Sequence, residues 1–335
     1  MKMSIKVCIV VGVIFALVLL CTRRFRIKWN KRCIYSVYEL GKYLESQNRL
    51  LLRSRYGDVS YLNHDADICY ILGWKTNHSA LKDFFTRIYP EMKSSKRKIK
   101  LLTAHDDDTG VPGEIGKHDN MDYLKCLDDE NIVAWFTVNK DMHHPKLHSI
   151  PLGVDFHTLS GKDFWGEHRT GKDVQETQLN RYFEEAPNLC ERYNKSISSF
   201  HFSIPEHQSE RWWTSDRVEC KEALTQLNDH DFMRSRLSRS ELWKLYRQYK
   251  FVICPHGNGI DCHRQYEAIA LGCIPVVKTS TLDAMYRDHN MPVVIVNKWS
   301  DATIESLLVK MKSLTVNRET ILNKYWADFI DRLDA

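Results

Sequence analysis

Twice along this chain, short apolar runs of strand length alternate with stretches of helix length. This alternation limits the fold more than any other feature of the sequence. Residues 68–72, 99–103, 132–137 and 147–150 read as strands, with helices over 79–92 and 123–127. A polar, charged stretch separates this block from the next. The pattern then resumes, with strands over 197–202, 251–254, 274–277 and 293–296. Its helices fall at 216–227, 240–249, 263–271 and 281–288, and two more close the chain. Ser238 or Ser240 caps the helix over 240–249, because a hydroxyl there accepts from a free N–H of the first turn. Pro275 runs against a buried strand, since it removes a ladder donor. Apolar β-branched runs alternating with helices indicate parallel strands covered on both faces. The expected class is α/β, with two facing Rossmann-like domains and a cleft between them.

The N-terminus carries a different signal. Residues 7–21 (VCIVVGVIFALVLLC) are an unbroken apolar run. With Met3, Ser4, Ile5 and a snorkelling Lys6 it approaches the roughly 20 residues that span a bilayer. A cleaved signal peptide competes, but no small-x-small cleavage site follows. The segment therefore reads as an uncleaved signal-anchor. The net charge of +5 belongs to this end. The first 32 residues hold eight of the 48 basic residues and no acid, so the other 303 carry 40 basic against 43 acidic. A slightly acidic body excludes a general nucleic-acid binder. Basic residues after the span outnumber those before it, which favours a cytoplasmic body. The sequons Asn77-His78-Ser79 and Asn194-Lys195-Ser196, and a long body with no second span, favour a lumenal one. The expected layout is a single-pass type II protein. It has a tail at 1–6, an anchor at 7–22, a stem at 23–56 and an N-terminal acceptor domain at 57–158. An interdomain segment at 159–195 and a C-terminal nucleotide-sugar domain at 196–335 complete it. Eight cysteines lie beyond the span with no CxxC or zinc-finger spacing, so lumenal disulfides and ordinary buried thiols both remain open.

Residues 251–278, FVICPHGNGIDCHRQYEAIALGCIPVVK, hold the most chemistry. A buried strand ends at Pro255, and Gly257 and Gly259 then let backbone approach a ligand closely. A helix begins near 261–263 and stops at Gly272. Ligands of open α/β sheets bind at the carboxyl ends of strands, and a helix N-terminus there presents free N–H groups to an anion. Arg264 in the first turn suits a diphosphate, through bidentate hydrogen bonds. Glu267, three residues on, lies on the same face and can accept from ribose hydroxyls. Alone, each piece has an ordinary reading: a turn for the glycines, a surface i,i+3 pair for Arg264 and Glu267. Together they describe a nucleotide-diphosphate pocket.

The same segment resembles the C-terminal signature of exostosin-like glycosyltransferases: a strand ending in Cys-Pro, a glycine loop, Arg shortly before Glu-Ala, then Gly-Cys-Ile-Pro-Val. Residues 135–155 (WFTVNKDMHHPKLHSIPLGVD) and 101–112 (LLTAHDDDTGVP) are similar to the close of the first domain and to the strand-then-Asp turn before it. The resemblance covers about 99–296, most strongly in the last third. Members are typically single-span Golgi or endoplasmic-reticulum enzymes of GT-B fold, and this chain is short among them. Where the family often has Arg after Cys-Pro, this chain has His256.

The resemblance implies transfer of a sugar from a nucleotide-sugar donor to a glycan or glycoprotein hydroxyl, with no obligate metal. Arg264 would neutralise the leaving diphosphate. Glu267 would hold the ribose, and His256, Gly257, Asn258 and Gly259 would line the donor pocket. Arg211 is a second candidate phosphate ligand. An inverting reaction needs a base from the first domain. Asp106, Asp107 and Asp108 stand at the right strand end, and Asp108 fits the family pattern best. The same stretch supports a rival reading, in which Asp106-x-Asp108 binds Mn²⁺ as in a GT-A transferase. A third reading is a catalytically inactive glycan- or nucleotide-sugar-binding membrane protein.

Overall fold

The computed structural model describes residues 33–55, 58–75, 78–104, 109–201, 211–233 and 237–333. It contains two sheets of mainly parallel strands. The first has six strands: β1 (Leu50–Arg55), β2 (Asp58–Tyr61), β3 (Ile68–Leu72), β4 (Ile99–Ala104), β5 (Ile132–Thr137) and β6 (Leu147–Ser149). Their order is β2-β1-β3-β4-β5-β6, and the β1–β2 pair alone is antiparallel. The second sheet is all parallel. It orders β8 (His230–Phe232), β7 (Tyr193–Ser198), β9 (Tyr249–Ile253), β10 (Ile274–Lys278) and β11 (Val294–Val296) side by side. Strands β3, β4 and β9 are buried along nearly their whole length, in keeping with their mostly apolar sequences. Pro275 precedes the first β10–β11 pair, Val276 with Val294, where that ladder does not yet need its N–H.

Residues 33–55 of the expected stem belong instead to the first sheet and its cover. Helix α1 (Val37–Ser46) buries Val37, Leu40, Gly41 and Leu44, the i, i+3, i+4, i+7 stripe of a packed helix. Fully burying each leucine contributes about 1.5–3 kcal/mol. Gly41 is required by close approach, since a Cβ there would stand 1.9 Å from the Tyr70 ring. Strand β1 follows with three fully buried leucines. Basic flanking residues disguised this unit, because the apolar positions are few and spaced by helix geometry. The interdomain segment likewise contains helix α2 (Lys172–Glu184), which buries Leu179 and Tyr182.

The chain's end returns to its beginning. Helix α8 (Asn323–Arg332) packs on α1, with Trp326 against Tyr35 and Phe329 against Phe136. The Tyr35 N–H donates to Ile321 O at 2.7 Å. One apolar cluster therefore runs from α1 and the first sheet through α8 into the second half, while each sheet has a further cluster on its outer face. Among the described residues no helix is long and apolar enough to cross a membrane. The expected anchor lies outside them.

Two histidines give the fold a pH dependence. Both ring nitrogens of His230 meet serine hydroxyls, Ser196 at 2.8 Å and Ser198 at 2.9 Å. His289 packs on Trp326 and Phe329 and bonds Tyr325. Burial pushes each down to about 4. The folded values lie below the unfolded value of about 6.5, so this stabilisation is full above pH 6.5 and is lost as pH falls towards 4. With both rings partly solvated, each contributes about 1–2 kcal/mol. Asp261 runs the other way, because burial pushes it up to about 6. Urea unfolding at pH 7.5 and 4.5 is expected to show a smaller loss on acidification in His230→Gln and His289→Phe than in the parent. Equal losses would contradict the assignment.

Candidate functional site

The site grows from the loop that leaves β9. Cys254 to Cys262 run from the strand to helix α5 (His263–Ala270), which has Cys262 in extended conformation as its N-cap. The loop is fixed by its own bonds. The Gly257 N–H donates to Gly259 O at 2.9 Å, and the His256 ring bonds Ile260 O at 2.7 Å. The carboxylate of Asp216, at the start of helix α3 (Asp216–Leu224), accepts from the His256 N–H at 2.9 Å and the Trp299 indole at 2.8 Å. Trp213 and Arg211 both donate to the carbonyl of Asn258, at 3.0 and 3.3 Å.

Asp261 ties this loop to the first half. It is 1 % exposed. Its carboxylate accepts from the Leu152 N–H (2.8 Å), the Tyr266 hydroxyl (2.6 Å), the Cys262 N–H (2.9 Å) and the Gln265 amide. Its own N–H donates to Asn139 Oδ1 at 2.7 Å. Leu152 and Asn139 follow β6 and β5, so one buried carboxylate positions two sheets relative to each other.

A cavity of about 920 Å³, within the range of small-molecule sites, lies against this loop, walled by second-half residues and by the segment from Asp155 to Trp165. Gly257, Asn258, Gly259, Arg264 and Glu267, all singled out in the sequence, line it. Arg217, Arg239, Asp155 and His263 line it too, and sequence reasoning missed them. Arg239 opens helix α4 (Arg239–Tyr246), whose capping box is made by Ser238 and Glu241, which settles the choice between Ser238 and Ser240. Its guanidinium lies over Trp243, 4.4 Å from the centroid, and pairs with Glu267 at 3.0 Å. One oxygen of Glu267 is thus held by protein.

Arg217 and Arg264 differ from Arg239. Arg217 is 6 % exposed and donates to the carbonyls of His256 (3.1 Å) and His201 (2.8 Å). Arg264 is half-buried, with its guanidinium 5.8 Å from the Phe200 ring centroid. Neither forms an ion pair with a carboxylate among the described residues. Burial, and then the neighbouring Arg264 charge, push the Arg217 guanidinium down to about 10. The two like charges repel each other, Asp216 and Glu267 offset part of that repulsion, and a bound anion offsets more.

His256 and Arg211 take other places. His256 is buried and serves the loop's own bonding, and its side chain is not part of the cavity wall. Arg217 brings a guanidinium to the same loop from α3 instead. Arg211 pairs with Glu114 of the first half and so joins the halves away from the cavity wall. Asp106, Asp107, Asp108 and Asn77 lie outside the described residues. Asn194 is exposed on β7, and its side-chain oxygen accepts from Lys250. A Cβ on Gly257 would stand 3.0 Å from the Arg217 guanidinium. Gly257→Ala is therefore expected to weaken nucleoside diphosphate binding about tenfold, the loss of one charge-assisted contact, with folding intact. Unchanged affinity by calorimetry would count against the Arg217 assignment.

Comparison with known proteins gives a family match for the second half. Residues 213–333 match the model of the RXYLT1 C-terminal domain, which contains the whole strand–loop–helix segment from β9 to β10. No curated protein matches the chain. Among solved structures, trehalose-6-phosphate from E. coli bound with UDP-2-fluoro glucose is 11% identical over 80% of this chain and 70% of its own, at a TM-score of 0.32. An alpha1,3-fucosyltransferase is 12% identical over 80% and 90%, also at 0.32. A glycosyltransferase from Rickettsia africae ESF-5 is 10% identical over 92% and 79%, at 0.34. Superpositions this loose carry no residue from one chain to another.

Proposed function

We infer that this chain, whose residues 213–333 carry the RXYLT1 C-terminal domain, is a glycosyltransferase. It moves a sugar from a nucleotide-diphosphate sugar to a hydroxyl of a glycan or glycoprotein. The observation that carries this reading is the Arg217–Arg264 pair, set on the cavity wall with no carboxylate ion-paired to either among the described residues. In the reaction the bond from the anomeric carbon to the diphosphate oxygen breaks, and negative charge grows on the leaving group. Guanidiniums fixed before the reaction stabilise that charge without reorganising. They meet the donor's charge themselves, so no obligate metal is needed at this step. Gly257 and Gly259 leave room for the diphosphate beside the backbone. The Glu267 oxygen not held by Arg239 accepts from the ribose.

The two sheets, the cleft and the return of α8 to the first half are consistent with a GT-B arrangement, and that is the architecture we assign. Asp108, with Asp106 as the alternative, supplies the base. The apolar run at 7–21 and the sequons at Asn77 and Asn194 support a single-pass type II membrane protein of the Golgi or endoplasmic reticulum, with its body in the lumen. The test uses full-length protein in detergent and a panel of nucleotide-diphosphate hexoses and pentoses. Release of nucleoside diphosphate from at least one donor, greatly reduced in Arg264→Ala, is expected. Binding of donors with no turnover would support a sugar-nucleotide-binding protein instead. Transfer that survives Arg264→Ala but fails in Asp106→Ala and needs Mn²⁺ would support the GT-A reading.

A further inference from the structure

The turn after β6 and the start of α5 bring together three side chains that neither the donor-binding argument nor the base assignment uses. Asp155, His157 and His263 each place one ligand atom within 4.8 Å of the other two. Asp155 and His157 come from the link that leaves the first sheet, and His263 is the first residue of α5 in the second half. We propose that these three residues bind one divalent transition-metal ion of the zinc class and that the ion braces the two halves at the edge of the cleft.

The ligand set fits that ion. Two imidazole nitrogens and one carboxylate oxygen suit zinc and its neighbours, whereas magnesium and calcium take oxygen alone. The spacing fits as well. Asp155 Oδ1 stands 3.0 Å from His157 Nδ1. Two ligand atoms that share a tetrahedral ion at about 2.0–2.2 Å stand roughly 3.4 Å apart, so this edge needs to open by only a few tenths of an ångström. Closing the other edges draws α5 towards the Asp155 turn.

Each ligand is oriented by a further contact, as metal ligands generally are. The His263 Nδ1 bonds the carbonyl of Gly153 at 2.6 Å, which puts the proton on Nδ1 and the lone pair on Nε2. Gly153 can present that carbonyl only as glycine. Its φ is +80°, and a Cβ would stand 2.6 Å from Ser36 Cα. The Asp155 carboxylate accepts from the Thr158 N–H at 2.9 Å and hydroxyl at 2.7 Å. Arg239 donates to the Asp155 carbonyl. His157, packed on Tyr38 at 4.5 Å, is the exposed member and gives the ion a way in from solvent. Asp155 and His263 also line the cavity, so a fourth coordination position opens towards it.

The proposal stands apart from sugar transfer, and its test reads binding alone. Full-length protein is stripped with EDTA, dialysed, and titrated with Zn²⁺ by calorimetry and with Co²⁺ by visible absorption. One equivalent of each is expected to bind, with Co²⁺ giving d–d bands. His157→Ala and His263→Asn are each expected to bind at least tenfold more weakly. The asparagine keeps a donor for the Gly153 carbonyl but removes the ligand nitrogen. His157 is exposed, so its variant decides alone if His263→Asn fails to fold. Absence of saturable binding by the parent would overturn the proposal. So would variant affinities equal to the parent's, or Mg²⁺ competing on equal terms with Zn²⁺.

Discussion

Arg264→Ala is expected to lower kcat/KM for sugar transfer by about 10²-fold, and Arg217→Ala by a similar factor. Removing one preorganised donor from a developing oxyanion typically costs about 2.7–4 kcal/mol, which is this size. The stability of the two variants separates this role from a structural one. Arg264 pairs with no carboxylate among the described residues, and its charge pushes Arg217 down. Its removal relieves that repulsion but gives up the attraction to Glu267. Arg264→Ala is therefore expected to unfold close to the parent's urea concentration while losing transfer. A structural arginine would lose both together. Arg217→Ala, which also gives up bonds to the His256 and His201 carbonyls, is expected to lose some stability as well. Because the two guanidiniums meet one diphosphate, the double variant is expected to fall short of the product of the single effects. Measured kcat/KM and urea midpoints for the three variants check each part. A large loss of stability in Arg264→Ala would contradict the account.

Asp261→Ala is expected to lower unfolding stability by about 3–5 kcal/mol. The substitution strands the Leu152 and Cys262 N–H groups and the Tyr266 hydroxyl, each buried and without a replacement acceptor. An orphaned buried donor costs about 1–3 kcal/mol. Against a total stability of about 5–15 kcal/mol for a domain, the loss is severe. It also frees the donor loop from the first half, so nucleoside diphosphate affinity is expected to fall together with stability. Asp261→Asn keeps one acceptor and is expected to lie between parent and Asp261→Ala. Urea midpoints that match the parent's in both variants would contradict a bracing role. The folded carboxyl lies above its unfolded value, so its share of stability is kept at low pH and lost as pH rises through about 6. The difference in stability between parent and Asp261→Ala is therefore expected to widen from pH 7.5 to pH 5.5.

The second half was legible because its signals are local. A continuous apolar strand, two glycines, an arginine and a glutamate lie within 28 residues, and the structure places Gly257, Asn258, Gly259, Arg264 and Glu267 on one cavity wall. What escaped was whatever depends on distant chain. Arg217 sits in DRVECKEAL, where no periodicity separates a cavity-facing arginine from a solvated one. Arg239 gains meaning only through Glu267, 28 residues away, and Asp261 only through Leu152 and Asn139. The segment from 34 to 55 was misread as a stem for the same reason. Its apolar stripe packs on α8, nearly 300 residues later, and on Tyr70 of β3, and sequence patterning cannot see those partners. His256 was assigned to the pocket by its place in the motif. Its ring is drawn into the loop by the carbonyl of Ile260.

The central claim is that the cleft is built for a diphosphate. Titration calorimetry of the full-length protein with a nucleoside diphosphate, the corresponding monophosphate and the bare nucleoside tests it most directly. The diphosphate is expected to bind at least tenfold more tightly than the nucleoside, with most of that advantage lost in Arg264→Ala. A nucleoside that binds as tightly as its diphosphate, or a diphosphate affinity that Arg264→Ala leaves unchanged, would contradict the account.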